Sequence, residues 1–101
     1  MVEIEISVRA FEDLDEIALY WSTFSEKTAR YYLNKIYASI QLLKSFPNLG
    51  KVSPELEFPH VREILSGPYR IFYHIVSEHK IQIITIHHSA MLFDFEKLRP
   101  N

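Results

Sequence analysis

Two arginines and a group of histidines are the side chains through which this 101-residue chain could stabilise charge or move protons. Arg70 stands inside an apolar run, Tyr69-Arg70-Ile71-Phe72-Tyr73, and Arg62 near the start of another, Val61 to Leu65. A guanidinium held in such a run has two roles open to it. It can pair with an acid or lay its stem over a sheet with its head in water. It can also clamp a phosphate and stabilise charge in phosphoryl transfer, because its planar fork stays ionised. His74, His87 and His88 lie in the same region. An imidazole on the same face as Arg70 could serve as general acid or base near neutral pH; the alternative is a polar strand end bonded to a neighbouring loop. His60 and His79 fall in a loop and a turn.

Other chemistries are excluded more directly. The chain has no cysteine, which rules out thiol catalysis, disulfides and Cys-ligated zinc. A histidine metal site is not expected, because no His-x-His or His-x3-His pair occurs and the adjacent His87 and His88 point to opposite faces of a strand. With two glycines there is no phosphate-cradling loop or nucleotide fingerprint, and no Ser-His-Asp spacing stands out. No cofactor is expected.

The elements that must position these residues follow from the hydrophobic pattern. Val61 to His88 reads as three short strands, because Ser66-Gly67-Pro68 and Ser77-Glu78-His79 interrupt runs rich in Ile, Val, Tyr and Phe. Alternation places Tyr69, Ile71, Tyr73 and Ile75 on one face, and Arg70, Phe72, His74 and Val76 on the other. The first face is the expected core, and the residues upstream of Val61 are expected to cover it. Val2, Ile4 and Ile6 alternate with Glu3, Glu5 and Ser7, the pattern of an edge strand whose charges discourage stray pairing. Ser7 then caps a helix with an apolar stripe of Phe11, Leu14, Ile17, Ala18 and Trp21, whose acids Glu12, Asp13, Asp15 and Glu16 lie towards the positive end of its dipole. Ser25 caps a second helix with a stripe of Ala29, Leu33, Ile36, Ile40 and Leu43, ended by Pro47. The short gap between them predicts an antiparallel hairpin. A loop of about a dozen residues follows from Pro47 to His60, long enough to suggest function, with Leu49, Val52, Leu56 and Phe58 expected to pin it to the core. Met91, Leu92, Phe93, Phe95 and Leu98 make an apolar tail, which is either a last helical turn over the core or a contact for a partner.

Apolar residues at 48 % and charged residues at 24 % describe an ordinary globular composition, and the length suits one domain, residues 1–101. No long apolar span and no basic-then-apolar leader occurs, so the expectation is a cytoplasmic protein with no membrane partner. The formal charge of −2 hides a segregation: residues 1–26 hold seven acids and one arginine, whereas residues 27–53 hold five bases and no acid. These opposite signs either help to hold two neighbouring helices in register or are simply two solvated faces. With no overall basic excess, direct nucleic-acid binding is not expected.

Taken in order, several segments resemble the ParE/RelE superfamily of bacterial type II toxins, and its ParE branch in particular. Ser7-x-x-Ala10-x-x-Asp13-Leu14-x-x-Ile17-x-x-Tyr20 looks like that branch's opening, and Pro47-Asn48-Leu49-Gly50 like its exit from the second helix. Val61-Arg62, then Tyr69-Arg70-Ile71-Phe72-Tyr73, then the strand reaching His87, are similar to the family's arginine strand, central strand and terminal histidine. The resemblance spans residues 2 to about 94. It implies an α+β fold of order β-α-α-β-β-β, a helical hairpin packed on a small antiparallel-meander sheet.

It further implies a toxin neutralised by a cognate antitoxin that wraps across helices and sheet, and a role in plasmid stabilisation. ParE-like members poison DNA gyrase, making gyrase the expected target and no catalytic residue necessary. RelE-like and YoeB-like members cleave mRNA on the ribosome. For that alternative, Arg70 falls on the strand arginine those enzymes use and His88 near their C-terminal histidine, with Arg62 and His74 as further candidates. Two departures count against cleavage: Ser89 stands where the YoeB-like members have a tyrosine, and the basic cluster of the RelE-like loop reduces here to Lys51, followed by Pro54 and Glu55. A third possibility is an inactive member that only binds a partner. Candidate contacts for the antitoxin or another partner are Val52, Leu56 and Phe58 in the loop and Met91, Leu92 and Phe93 in the tail.

Overall fold

The computed structural model describes residues 1–52 and 60–89. In chain order these form β1 (Glu3–Ile6), α1 (Val8–Ser22), α2 (Glu26–Leu42), β2 (Val61–Ser66), β3 (Tyr69–Ser77) and β4 (Lys80–His88). The order is the expected β-α-α-β-β-β, with both helices on one face of a four-stranded sheet. Across the sheet the strands run β1-β4-β3-β2. β2, β3 and β4 make the antiparallel meander, whereas β1 lies parallel to β4, with Glu3 opposite Lys80 and Ile6 opposite Ile83. The sheet is therefore mixed: the helical hairpin is a crossover long enough to return the chain in the same direction.

Both caps sit at the expected serines. Ser7 Oγ accepts from the Ala10 N–H at 3.0 Å, and Ser25 Oγ from the Thr28 N–H at 3.3 Å. The stripe of α1 is shifted from the expected one. Ala10 and Ile17 are buried and Leu14 and Trp21 pack on the core, but Phe11 is 55 % exposed. Ala10 faces inward because its small side chain lets the first turn lie close to the sheet, which turns Phe11 outward by 100° of helix. The acids of α1 also begin one turn later than a strong dipole interaction needs, since the first turn holds Arg9 and no acid. In α2 the stripe holds, with Ala29, Ile36, Ile40 and Leu43 buried. The helix stops at Leu42, however, ahead of Pro47, and the chain leaves through turns in which Leu43, Lys44, Ser45 and Phe46 donate to carbonyls three or four residues back. Among the described residues no ion pair joins α1 to α2, so their opposite charges are two solvated faces.

Tyr69, Ile71 and Tyr73 of β3 meet Ile36 and Ile40 of α2, Leu43 just after it, and Ile81, Ile83 and Ile86 of β4 in the core. Each fully buried aliphatic side chain here is worth about 1.5–3 kcal/mol of transfer free energy. β2 and β3 are joined through Gly67-Pro68, where Gly67 takes φ 58°, a left-handed conformation that suits glycine. At the β1 edge, Glu5 accepts from Lys80 at 2.8 Å and from Gln82 at 2.8 Å. The Lys80 hydrogen bond, then that of Gln82, holds the Glu5 carboxyl below its ordinary pKa, and Lys80 is raised in turn by Glu5. Among the described residues, no helix is long and apolar enough to cross a membrane.

Candidate functional site

The residues singled out for chemistry fall on two faces of the sheet. Arg70 pairs in register with His87, and His74 with Gln82, all on the face turned away from the helices. Arg62 stands opposite Tyr73, and His88 opposite Tyr69, on the face the helices cover. The histidine sharing Arg70's face is thus His87, while the ring of His88 lies edge-on to Tyr69 at 5.4 Å. Arg70 is engaged by an acid: its Nη2 lies 2.7 Å and its Nε 2.8 Å from Oε2 of Glu63, a buried residue of β2. Its guanidinium also sits 4.9 Å from the centre of the Phe72 ring. His74 lies 6.4 Å from His60, ring centre to ring centre. Among the described residues, no three His, Asp or Glu side chains are grouped to hold a metal ion.

Arg62 has a structural task. Its Nη1 donates to the Gly50 carbonyl at 2.6 Å, and the Tyr73 hydroxyl, just beside it, donates to the Pro47 carbonyl at 2.9 Å and accepts from the Gly50 N–H at 2.8 Å. Lys51 and Glu63 then exchange backbone hydrogen bonds at 3.1 and 3.0 Å. The start of the loop after α2 is therefore held by polar bonds from the sheet. Two of the four expected apolar pins are not there: Leu49 is 53 % and Val52 40 % exposed. Beside the strand, the start of this loop satisfies its backbone groups first, and that geometry turns Leu49 and Val52 outward. Leu56, Phe58, Met91, Leu92 and Phe93 lie outside the described residues. Burial raises the Tyr73 pKa above the ordinary phenol value, against the opposing effects of the Gly50 N–H and Arg62.

α1 is tied to the last turn of the sheet by its own polar residues. Beyond Ile6, β1 no longer covers β4, and Ser7 and Asp13 take over: Ser7 Oγ donates to the Ile84 carbonyl at 2.8 Å, while Asp13 Oδ2 accepts from Thr85 Oγ1 at 2.5 Å and from the Ile86 N–H at 2.9 Å. The register of β3 and β4 shifts at this point, between Phe72 and Tyr73.

Two recesses flank α1. The smaller, about 260 Å³, is a mainly apolar groove lined by Ile6, Leu14, Leu33, Ile36, Tyr37 and Ile40, with Asn34 as its polar member. The larger, about 580 Å³, opens between α1 and the end of β4, with Trp21, Tyr20 and Tyr69 in its walls and Asp13 and Glu16 at its rim. Trp21 Nε1 donates to the Tyr69 hydroxyl at 2.6 Å and its indole stacks on Tyr32 at 4.5 Å. Burial raises Tyr69 above its ordinary pKa, the Trp21 donation opposing. Sequence reasoning missed both recesses. The available signal was the set 13, 16, 17 and 20 on one side of α1, at spacings of three and four, next to an inward stripe that includes Leu14.

Hairpin and mixed sheet define a small α+β protein with two recesses beside its first helix. Over residues 4–93 the chain matches the model of the ParE toxin of the type II toxin–antitoxin system, parDE, and it belongs to that family. Among solved structures it is similar to a chain of the chromosomal ParDE TA system from P. aeruginosa, at 24 % sequence identity and a TM-score of 0.72, over 87 % of this chain and 96 % of that one. No curated protein sequence matches it.

Proposed function

We propose that this toxin acts in the cytoplasm by binding and poisoning DNA gyrase, that a cognate antitoxin neutralises it, and that the pair serves plasmid stabilisation. Family membership supports a toxin with an antitoxin partner. The observation that supports a binding mode of action is that the arginines are held by the fold, with Arg62 and His88 on the helix-covered face of the sheet, apart from Arg70, His74 and His87 on the other. Arg70 is moreover occupied by Glu63, and Arg62 by the Gly50 carbonyl. A general acid–base pair must reach one substrate bond within hydrogen-bond distance. Arg62 and His88 cannot do so with Arg70 across the sheet, and the Arg70 that shares a face with His87 is held by Glu63.

The antitoxin's contact is assigned to the hairpin side. The groove between Leu14, Leu33 and Tyr37 is mainly apolar, and Tyr37 is 58 % exposed, which suits an amphipathic helix laid into it. The exposed Val52 remains a partner contact. Purified toxin added to gyrase should inhibit supercoiling or trap cleaved DNA, and leave mRNA on programmed ribosomes intact. Cut mRNA with unaffected gyrase would replace this function with ribosome-dependent cleavage.

A further inference from the structure

The larger recess has a chemical character of its own, beyond a generic partner surface. Asp13, Glu16 and Tyr20 project from one side of α1, and with Trp21 and Tyr69 they surround a cleft of about 580 Å³ that has two carboxylates and three aromatic rings. Neither carboxylate has a cationic partner among the described residues. Asp13 accepts hydrogen bonds from Thr85 and the Ile86 N–H, which fix its position. Glu12 and Asp15 add further negative charge on the same helix.

The aromatic wall is built in advance of any ligand. The Trp21 indole is clamped by its 2.6 Å bond to the Tyr69 hydroxyl and by Tyr32 stacked at 4.5 Å, and Tyr20 stands edge-on to it at 5.0 Å. Electron-rich ring faces attract a cation, and Trp does so best. Carboxylates at the rim add charge and a hydrogen-bond acceptor. A guanidinium matches both: its plane stacks on a ring while its fork meets a carboxylate, whereas an ammonium is a compact, strongly hydrated charge.

We infer that this cleft is a receptor for an arginine side chain presented by the polypeptide partner. The inference deepens the partner-binding reading and rests on it. Leu14 lines the apolar groove and Asp13, the residue before it, the cleft, so a segment crossing α1 would place apolar residues in one recess and an arginine in the other.

The test uses the intact protein and needs no antitoxin, so its failure is separate from failure of the toxin reading. Trp21 is the chain's single tryptophan, which makes its fluorescence and its indole N–H resonance reporters of this cleft alone. N-acetyl-arginine amide and its uncharged isostere, N-acetyl-citrulline amide, are titrated at pH 8, above the ordinary histidine range, because His87 and His88 also line the cleft. The arginine compound is expected to shift the Trp21 signals saturably and at least about fivefold more tightly than the citrulline compound. Glu16→Gln, an exposed position whose variant should keep the wild-type melting temperature, is expected to weaken arginine binding about threefold to fivefold. Equal binding of the two compounds, no response at Trp21, or an unchanged affinity in Glu16→Gln would each overturn the proposal. Equal affinity for N-acetyl-lysine amide would overturn the choice of guanidinium.

Discussion

Tyr73 shows how much of this fold hangs on single polar atoms. Its hydroxyl accepts from the Gly50 N–H and donates to the Pro47 carbonyl, and it lies 2.6 Å from where a Cβ on residue 50 would be, with the Glu63 carbonyl at 2.7 Å. Gly50 is therefore required by close approach. Gly50→Ala should cost roughly 1–3 kcal/mol, because one of the atoms it meets is backbone and cannot swing away; the urea midpoint of the purified variant measures this. Tyr73→Phe should cost about 1–3 kcal/mol by leaving a buried N–H without its acceptor. The same hydroxyl gives a signed pH dependence. Its pKa is raised by burial in the folded state, so the unfolded chain ionises first as pH rises. The stability it contributes is complete below the unfolded value of about 10 and is lost as pH climbs through the folded value. Tyr69 acts in the same sense. Urea midpoints followed from pH 8 to 12 should fall in the wild type above about pH 10, and less steeply in Tyr73→Phe.

At the scale of elements, the two N-cap serines are chemically alike in sequence and unequal in structure. Ser25 caps α2 alone, but Ser7 caps α1 and also donates to the Ile84 carbonyl where β4 loses its β1 neighbour. Ser25→Ala should cost about 1 kcal/mol, and Ser7→Ala about 1 kcal/mol more, because a second bond is lost; thermal melts of the two variants decide the order. The elements themselves were legible because alternation and helical spacing report burial directly. Phe11 and Ala10 were exchanged in the expected stripe because periodicity weights size, whereas the first turn lies too close to the sheet for a ring. The parallel pairing of β1 was not legible, since a strand's pattern does not name its neighbour. The Pro47-to-Gly50 signature was visible in sequence, yet its cause is Tyr73, 23 residues beyond Gly50. The candidate site was legible as residue types only. Arg62, Arg70, His74 and His88 all read as functional, but which of them share a face depends on strand pairing and register.

For the whole molecule, the question is whether Arg70 serves the fold or a reaction, and the ion pair with Glu63 allows the two to be separated. The side chains of Arg70 and Glu63 are 20 % and 9 % exposed, so Arg70→Ala alone strands a nearly buried carboxylate and should cost about 3 kcal/mol. Loss of toxicity in that variant would be ambiguous, because an unfolded toxin is also inactive. Replacing both partners by apolar residues of similar volume, Arg70→Met with Glu63→Leu, removes the charge and its dependent together, and such exchanges are often neutral or stabilising. If the protein poisons by surface recognition, the double variant should regain both the wild-type urea midpoint and growth arrest on induction, and should still inhibit supercoiling. A catalytic guanidinium predicts a different result: stability returns, but toxicity stays lost by orders of magnitude, because stabilisation of developing charge goes with the side chain. Recovery of stability without recovery of arrest would therefore move the mode of action from a binding surface to the sheet face that carries Arg70 and His87.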